Sequence, residues 1–224
     1  MAESMSDLFH YIAETYDFVW ILTNCLYSIQ RVVIGVCAAV VAGILLGLIR
    51  SVLPAGVRRN RLINFLFEAP KFPPPIAWIP FVILLFGIGE LSAYTIVFIG
   101  AFAPVFTNAY DGAQSVSLIL RNTARSLEIR GVRYMGAILL PAALPQILTG
   151  IRVGVSMGWM SVIAAEMISG QSGLGYSIQL NRLNLQYDLM TVDMILIGII
   201  GFVLFEAILL LEKHLIPWHD KTMA

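Results

Sequence analysis

The chain is constrained first by its long uncharged stretches. Val32–Ile49 runs 18 residues without a charge, and Leu91–Tyr110 runs 20. Met194–Leu211 runs 18 residues with a single acid, Glu206. A bilayer core of about 30 Å takes about 20 mostly apolar helical residues. Each stretch fits that length. Across all 224 residues only 12% are charged and 58% are hydrophobic. A soluble domain carries roughly 25% charge, so there is too little here to coat a globule. The same numbers exclude disorder. Alternating segments of period two are absent, which argues against a β-barrel.

Two further stretches are less regular. Pro73–Ile88 is uncharged but short, and it carries Pro73, Pro74, Pro75 and Pro80. A proline-opened segment crosses a bilayer only if neighbours satisfy its freed carbonyls. Tyr134–Ala165 is interrupted only by Arg152 and is too long for one crossing. Pro141 and Pro145 divide it, which places the span at about Pro145–Ile168. The expectation is an all-α polytopic membrane protein with about five transmembrane helices. Residues 5–24 read as a helix along the outer interface. The chain then divides into an interfacial helix, 1–26, and a membrane domain, 27–224.

Lys and Arg in the loops set the orientation. Arg50, Arg58, Arg59, Arg61, Lys71, Arg121, Arg125, Arg130, Arg133, Lys213 and Lys221 fall on one side, out of 14 basic residues in all. Arg31, Arg152 and Arg182 lie elsewhere. This puts loops 50–71 and 112–144 and the C-terminus in the cytoplasm, and the N-terminus outside. Net charge is zero, so no bulk attraction to nucleic acid follows. Cys25 and Cys37 stand about 18 Å apart on a helix and cannot bridge.

Catalytic signatures are missing. The lysines are Lys71, Lys213 and Lys221, preceded by Pro, Glu and Asp, so no Walker-type phosphate loop occurs. His10, His214 and His219 do not pair with Cys or Glu at metal-ligand spacing within a span. An enzyme reading has little support. A transporter or channel component is favoured by elimination.

The connection 112–144 is far longer than most helix–helix links. Val116, Leu118, Ile119, Leu120, Ala124, Leu127 and Ile129 recur at near-helical spacing, with Arg121, Arg125 and Glu128 on the wet face. Gly131 breaks that helix, and a second short helix runs to Pro141. Such a hairpin covers its apolar side against the chain's own helix ends or headgroups, or inserts it into a groove of a soluble partner.

The stretch Asn122-Thr123-Ala124-Arg125-Ser126-Leu127-Glu128, then nine residues, then Ile138-Leu139-Leu140-Pro141 resembles the EAA loop of ABC importer permeases. Spacing and the I-x-L-P end match. Asn122 stands for the Glu of that motif, Thr123 for an Ala and Glu128 for the Gly. Pro73-Pro74-Pro75-Ile76-Ala77-Trp78-Ile79-Pro80, Phe86-Gly87-Ile88-Gly89, Gly150-Ile151-Arg152, Ala165-Glu166-Met167 and Gly173-Leu174-Gly175-Tyr176 resemble the subgroup that imports nitrate, sulfonates, taurine or bicarbonate. The resemblance spans roughly residues 27–220. Permeases of this kind usually carry an extra N-terminal span.

The resemblance implies a type I ABC importer permease in a bacterial inner membrane. Its path for a small anion would be made with a second permease chain, as a homodimer. ATP and Mg would be bound by separate ABC ATPase subunits and no cofactor by this chain. A periplasmic or lipid-anchored binding protein would deliver cargo. Coupling would run through the loop 115–141, with Asn122, Thr123, Ala124, Arg125, Leu127, Glu128, Gly131, Arg133 and Pro141 as its residues. Ala124 would sit inside the ATPase groove, where a large side chain clashes. A secondary carrier or channel without an ATPase, and a non-transporting assembly protein, are the competing readings.

Single residues add candidates for the path or gate. Arg152 is a membrane-embedded charge that steers an anion, braces a dimer or forms a structural ion pair. Glu166 lies about 21 Å further along the same helix and reads as a gate or structural hydrogen bond. Trp78 and Trp159 line the path or serve as interfacial or core aromatics. Asn108 caps a helix end or faces the path. Glu206 snorkels to the cytoplasmic interface. Gly170-Gln171-Ser172-Gly173-Leu174-Gly175 reads as an outer turn facing the binding protein. Gly35, Gly43 and Gly47 allow close helix contact.

Overall fold

A computed structural model describes residues 18–54, 56 and 60–216. Among these residues there are only helices and connections, with no strand. The first helix, α1 (Phe18–Val52), is 35 residues long. Two short helices follow, α2 (Arg61–Glu68) and α3 (Ile79–Phe86). Then come α4 (Glu90–Gln114), α5 (Leu118–Ser126) and α6 (Gly131–Tyr134). A π-helical turn (Met135–Leu139) leads into α7 (Leu140–Ser169). The chain finishes with α8 (Leu174–Leu183) and α9 (Tyr187–Leu215).

Among the described residues four helical stretches are long and apolar enough to cross a bilayer: Phe18–Val52, Glu90–Gln114, Gly131–Ser169 and Tyr187–Leu215. The shortest, at 25 residues, is about 37 Å long. Their directions follow from which residues meet. A methyl group added at Gly35 would strike Val97, at Gly43 Val105, and at Gly47 Ala109. The contacts advance together, so α1 and α4 run parallel. Gly112 meets Ala143, Gly150 meets Asn108 and Gly154 meets Val105. These run in opposite order, so α7 is antiparallel to α4. Trp159 meets Ile197 and Arg152 meets Glu212, so α9 is antiparallel to α7.

This geometry changes the expected second span. Because α1 and α4 are parallel, the link between them must travel from one end of the bundle to the other. The chain therefore traverses the bundle five times, but Pro73–Ile88 is not a full spanning helix. It is a 3₁₀ turn, Pro75–Trp78, followed by the eight residues of α3, about 20 Å in all. The prolines explain the break, since Pro75 and Pro80 sit at the first turns of their helices and cannot extend the preceding one. Ile79 and Val82 anchor α3 against Ile96 and Ala165.

The expected division at Pro141 and Pro145 is also revised. The helix continues from Gly131 to Ser169. Pro141 lies in the first turn of α7, directly after the π-helical turn. A proline clashes with the carbonyl four residues before it, and a wider turn relieves that clash. Pro145 is carried within α7. At the N-terminal side, residues 1–17 of the expected interfacial helix lie outside the described residues. Residues 18–26 belong to α1, which continues unbroken across the expected boundary at 26.

The core is built from small side chains at close approach. Val36, Ala39, Val97, Ala101, Val155 and Val162 fill the middle. Leu48, Ala109, Ala143 and Ile147 fill the arginine-rich end. The apolar face of α9 is uncovered in the single chain.

Candidate coupling helix and polar lock

Two polar constructions stand at opposite ends of the bundle. At the arginine-rich end, Ser117 caps α5 by accepting from the Leu120 amide at 3.3 Å. Arg121 donates to the carbonyls of Ala113 and Gln114 at 3.1 and 2.8 Å, tying α5 to the last turn of α4. Ala124 is 1% exposed. It faces its own chain, so its small size serves internal packing rather than an outward groove. Leu118 and Ile119 are the outward residues, at 75% and 79% exposure. Asn122, Thr123, Arg125, Leu127 and Arg133 are exposed, and the Thr123 hydroxyl donates to the Ile119 carbonyl of its own helix.

The turn after α5 is made without glycine. Glu128 has φ of 54°, the left-handed conformation usually left to glycine. The Ile129 amide donates to the Ala124 carbonyl at 2.9 Å and the Glu128 amide to the Arg125 carbonyl at 3.0 Å. This pair of bonds is the Schellman ending of a helix. The Glu128 backbone thus adopts a conformation that glycine takes freely, at a conformational cost of about 1–2 kcal/mol. Gly131, with φ of 59°, opens α6, and Pro141 is exposed at the start of α7.

At the far end, Arg31 gathers three elements. Its Nη1 donates to Glu166 Oε1 at 2.8 Å and to the Ser172 carbonyl at 2.7 Å. Its Nε donates to Glu90 Oε2 at 2.9 Å, and its Nη2 to the other Glu90 oxygen and to Ser172 Oγ. All five guanidinium donors are used. Glu166, itself 2% exposed, accepts from the Gly175 amide at 2.9 Å and lies 2.9 Å from Ser28 Oγ through both oxygens. Ser28 Oγ accepts from the Leu174 amide, and Asn24 Oδ1 from the Gly173 amide. The loop 170–175 is thereby fastened to α1. Gly173 is required there, because φ is 102° and a methyl group would run into the Glu166 carboxylate.

The other expected path residues scatter. Arg152 meets Glu212 at 3.5 Å, with both side chains partly exposed. Trp159 is a core aromatic whose indole donates to the Ile197 carbonyl at 3.2 Å between α7 and α9; its burial places it off any open face of the single chain. Asn108 donates to the Pro104 carbonyl within α4 and packs against Gly150. Trp78 is half-buried, edge-on to Phe81 at 6.0 Å between ring centres. Glu166 alone joins a larger network. Arg31, Glu90 and Ser28 were not singled out from the sequence. Their signal was position: each charge borders an uncharged run, and parallel helices bring the borders to one level. A second buried cluster, Asp193 with Ser177 at 2.6 Å and Asn181 at 2.8 Å, carried no motif.

The profile of the binding-protein-dependent transport system inner membrane components matches residues 39–220. The chain belongs to this family. As a family member it is an ABC permease, a multi-pass membrane subunit of a transport system. It is 37% identical over 203 residues to a putative ABC transporter permease protein of Methanocaldococcus jannaschii, covering 88% of this chain and 73% of the relative. A taurine transport system permease protein of Escherichia coli is 34% identical over 195 residues, covering 87% and 70%. A nitrate import permease protein of Synechocystis is 33% identical over 194 residues, again covering 87% and 70%. The fold of this ABC permease is also that of a chain from the MetNI methionine ABC transporter, in an inward-facing conformation. The TM-score is 0.75, at 17% identity, over 96% of this chain and 99% of the other.

Proposed function

We infer that the chain supplies half of the translocation path of an importer for a small anion of the nitrate, sulfonate or taurine class, paired with a second copy of itself. The substrates named for the E. coli and Synechocystis relatives support that class. A binding protein outside delivers cargo, and ATP with Mg is bound by a separate ATPase pair. The N-terminus lies outside and the arginine-rich end faces the cytoplasm, as the loop charges favour.

One observation carries the coupling role. Leu118 and Ile119 stand uncovered on a capped helix that is lashed to α4 by Arg121. Two large apolar side chains held outward on a rigid mount suit a groove in a partner. Closure of the ATPases would then move α5, and α4 and α7 with it, between two packings. ATP drives the cycle only if it binds better to the closed arrangement.

The test is Ile119→Asp in the chain co-expressed with its ATPase. The expected result is a permease that folds with unchanged thermal stability and binds the ATPase at least about 30-fold more weakly, the loss of one interface hot spot. Undiminished co-purification would remove α5 from the interface, whereas an unsubstituted chain that binds no ATPase at all would favour a carrier working without one.

A further inference from the structure

Behind the coupling helix the chain encloses a cleft of about 730 Å³ that the coupling role leaves unused. It opens between the last turn of α1, the end of α4, α5 and the start of α6. Arg121, Arg125 and Arg130 line it, with Ser51 and Tyr134 as neutral polar groups, Met135 among its apolar walls and no Asp or Glu among the described lining residues. None of the three arginines forms an ion pair with a described residue. Among the described residues Arg121 is answered only by two backbone carbonyls, and its buried Nε meets none of their acceptors.

Arg31 and Arg152 both meet carboxylates. Three guanidinium groups around one recess repel each other and leave donor pairs in fork geometry unfilled. A tetrahedral anion with several oxygens fills such forks bidentately. The cleft lies at the ends of α1 and α4, two of the helices long enough to cross a bilayer, and the basic residues around it suit the level where headgroups meet water. Basic pockets between helices at that level hold phosphate headgroups. The mixture of arginine and apolar wall suits a phosphate with a hydrocarbon attached.

We propose that this cleft binds a phosphate-bearing anion, its charge held by Arg125 and Arg130 and oriented by Arg121. The ligand locks α5 against α1 and α4. The inference does not rest on the ATPase docking described above, since it concerns the inward side of α5.

The test is native mass spectrometry of the full chain, alone and in complex with its ATPase, after delipidation in detergent. Phosphatidylglycerol or phosphatidylcholine is added back, with and without inorganic phosphate. The expected result is one phosphatidylglycerol retained per chain in both states, with phosphatidylcholine held at least tenfold more weakly. Arg125→Gln with Arg130→Gln should lower phosphatidylglycerol retention about tenfold or more, while Arg125→Lys with Arg130→Lys keeps part of it. Thermal unfolding of each variant separates lost binding from lost folding. Displacement by millimolar inorganic phosphate identifies the free anion as the ligand, and resistance to it identifies the lipid. Equal retention of both lipids, indifference to the Gln substitutions in a folded variant, or loss of the lipid when the ATPase is bound would each overturn the proposal.

Discussion

The two ends of the bundle are finished in opposite ways. At the far end every donor of Arg31 has an acceptor, and Glu166, Ser28, Asn24 and the backbone of loop 170–175 close on one another. At the arginine-rich end Leu118, Ile119 and Val132 stand exposed, and Arg121, Arg125 and Arg130 lack carboxylate partners among the described residues. The difference separates a contact completed within the chain from one left for something else. A buried ion pair contributes little net stability but is costly to break. It therefore suits a lock that must hold one arrangement or open as a unit. Exposed apolar residues on a capped helix cost little to keep and gain their stabilisation only when covered.

The sharpest way to break the comparison is at the lock. Arg31→Met leaves Glu166 as a buried carboxylate facing only neutral donors, and the expected cost is about 3–5 kcal/mol. The measurement is thermal unfolding of the purified chain in detergent. The double change Arg31→Met with Glu166→Leu should recover part of that loss, because no uncompensated charge remains. Glu90→Gln should cost less, since the Glu90 side chain is 48% exposed and water replaces part of what is lost. A single Arg31→Met variant within 1 kcal/mol of the parent would mean that the helix contacts alone hold this end.

At the opposite end the expected ranking is reversed between two neighbouring residues. Ala124→Trp overfills a site that is 1% exposed and should destabilise the chain by about 1–3 kcal/mol. Loop 112–144 should then be cleaved faster by a protease. Ile119→Asp should leave folding and cleavage unchanged while removing the ATPase. If Ala124→Trp left cleavage unaltered and only weakened the partner, Ala124 would belong to the docking face after all.

The all-helical class, three of the spanning runs and the amphipathic hairpin were legible in the sequence, because a bilayer demands long uncharged runs and an exposed helix demands a period of 3.6. The break at Pro73–Ile88 was harder to read. Length and charge alone count it as a span, whereas its direction depends on α1 and α4 lying parallel, which is a tertiary fact. The role of Arg31 was hidden for the same reason. A charge at the edge of a run looks like a boundary until the folded helices bring Glu90 and Glu166 beside it. Ala124 was assigned to a partner's groove by the resemblance, since an amphipathic pattern says which residues share a face, but not which face the chain itself covers.

A smaller effect probes the turn that ends α5. Glu128 holds φ of 54°, so Glu128→Gly removes a left-handed strain of about 1–2 kcal/mol. Gly also loses more freedom on folding, so the expected net gain is about 0.5–1 kcal/mol, or roughly 1–4 °C in Tm for a chain of this size. A lower Tm would show that the Glu128 side chain makes a contact worth more than the strain.

The smallest expected effect concerns Arg152, which sits between the two ends. Its contact with Glu212 is 3.5 Å long and the side chains are 31% and 22% exposed. Ion pairs of that kind contribute about 0.2–1 kcal/mol. A double-mutant cycle with Arg152→Gln and Glu212→Gln should return a coupling in that range, and the initial rate of anion uptake in liposomes carrying the assembled transporter should change less than about threefold. A much larger coupling would make this pair a second lock, built where the comparison expects none. A tenfold fall in uptake with stability unchanged would instead place Arg152 on the anion's route. The guanidinium would then have to exchange Glu212 for the passing substrate, and a long, half-exposed pair is the kind that releases its partner at small cost.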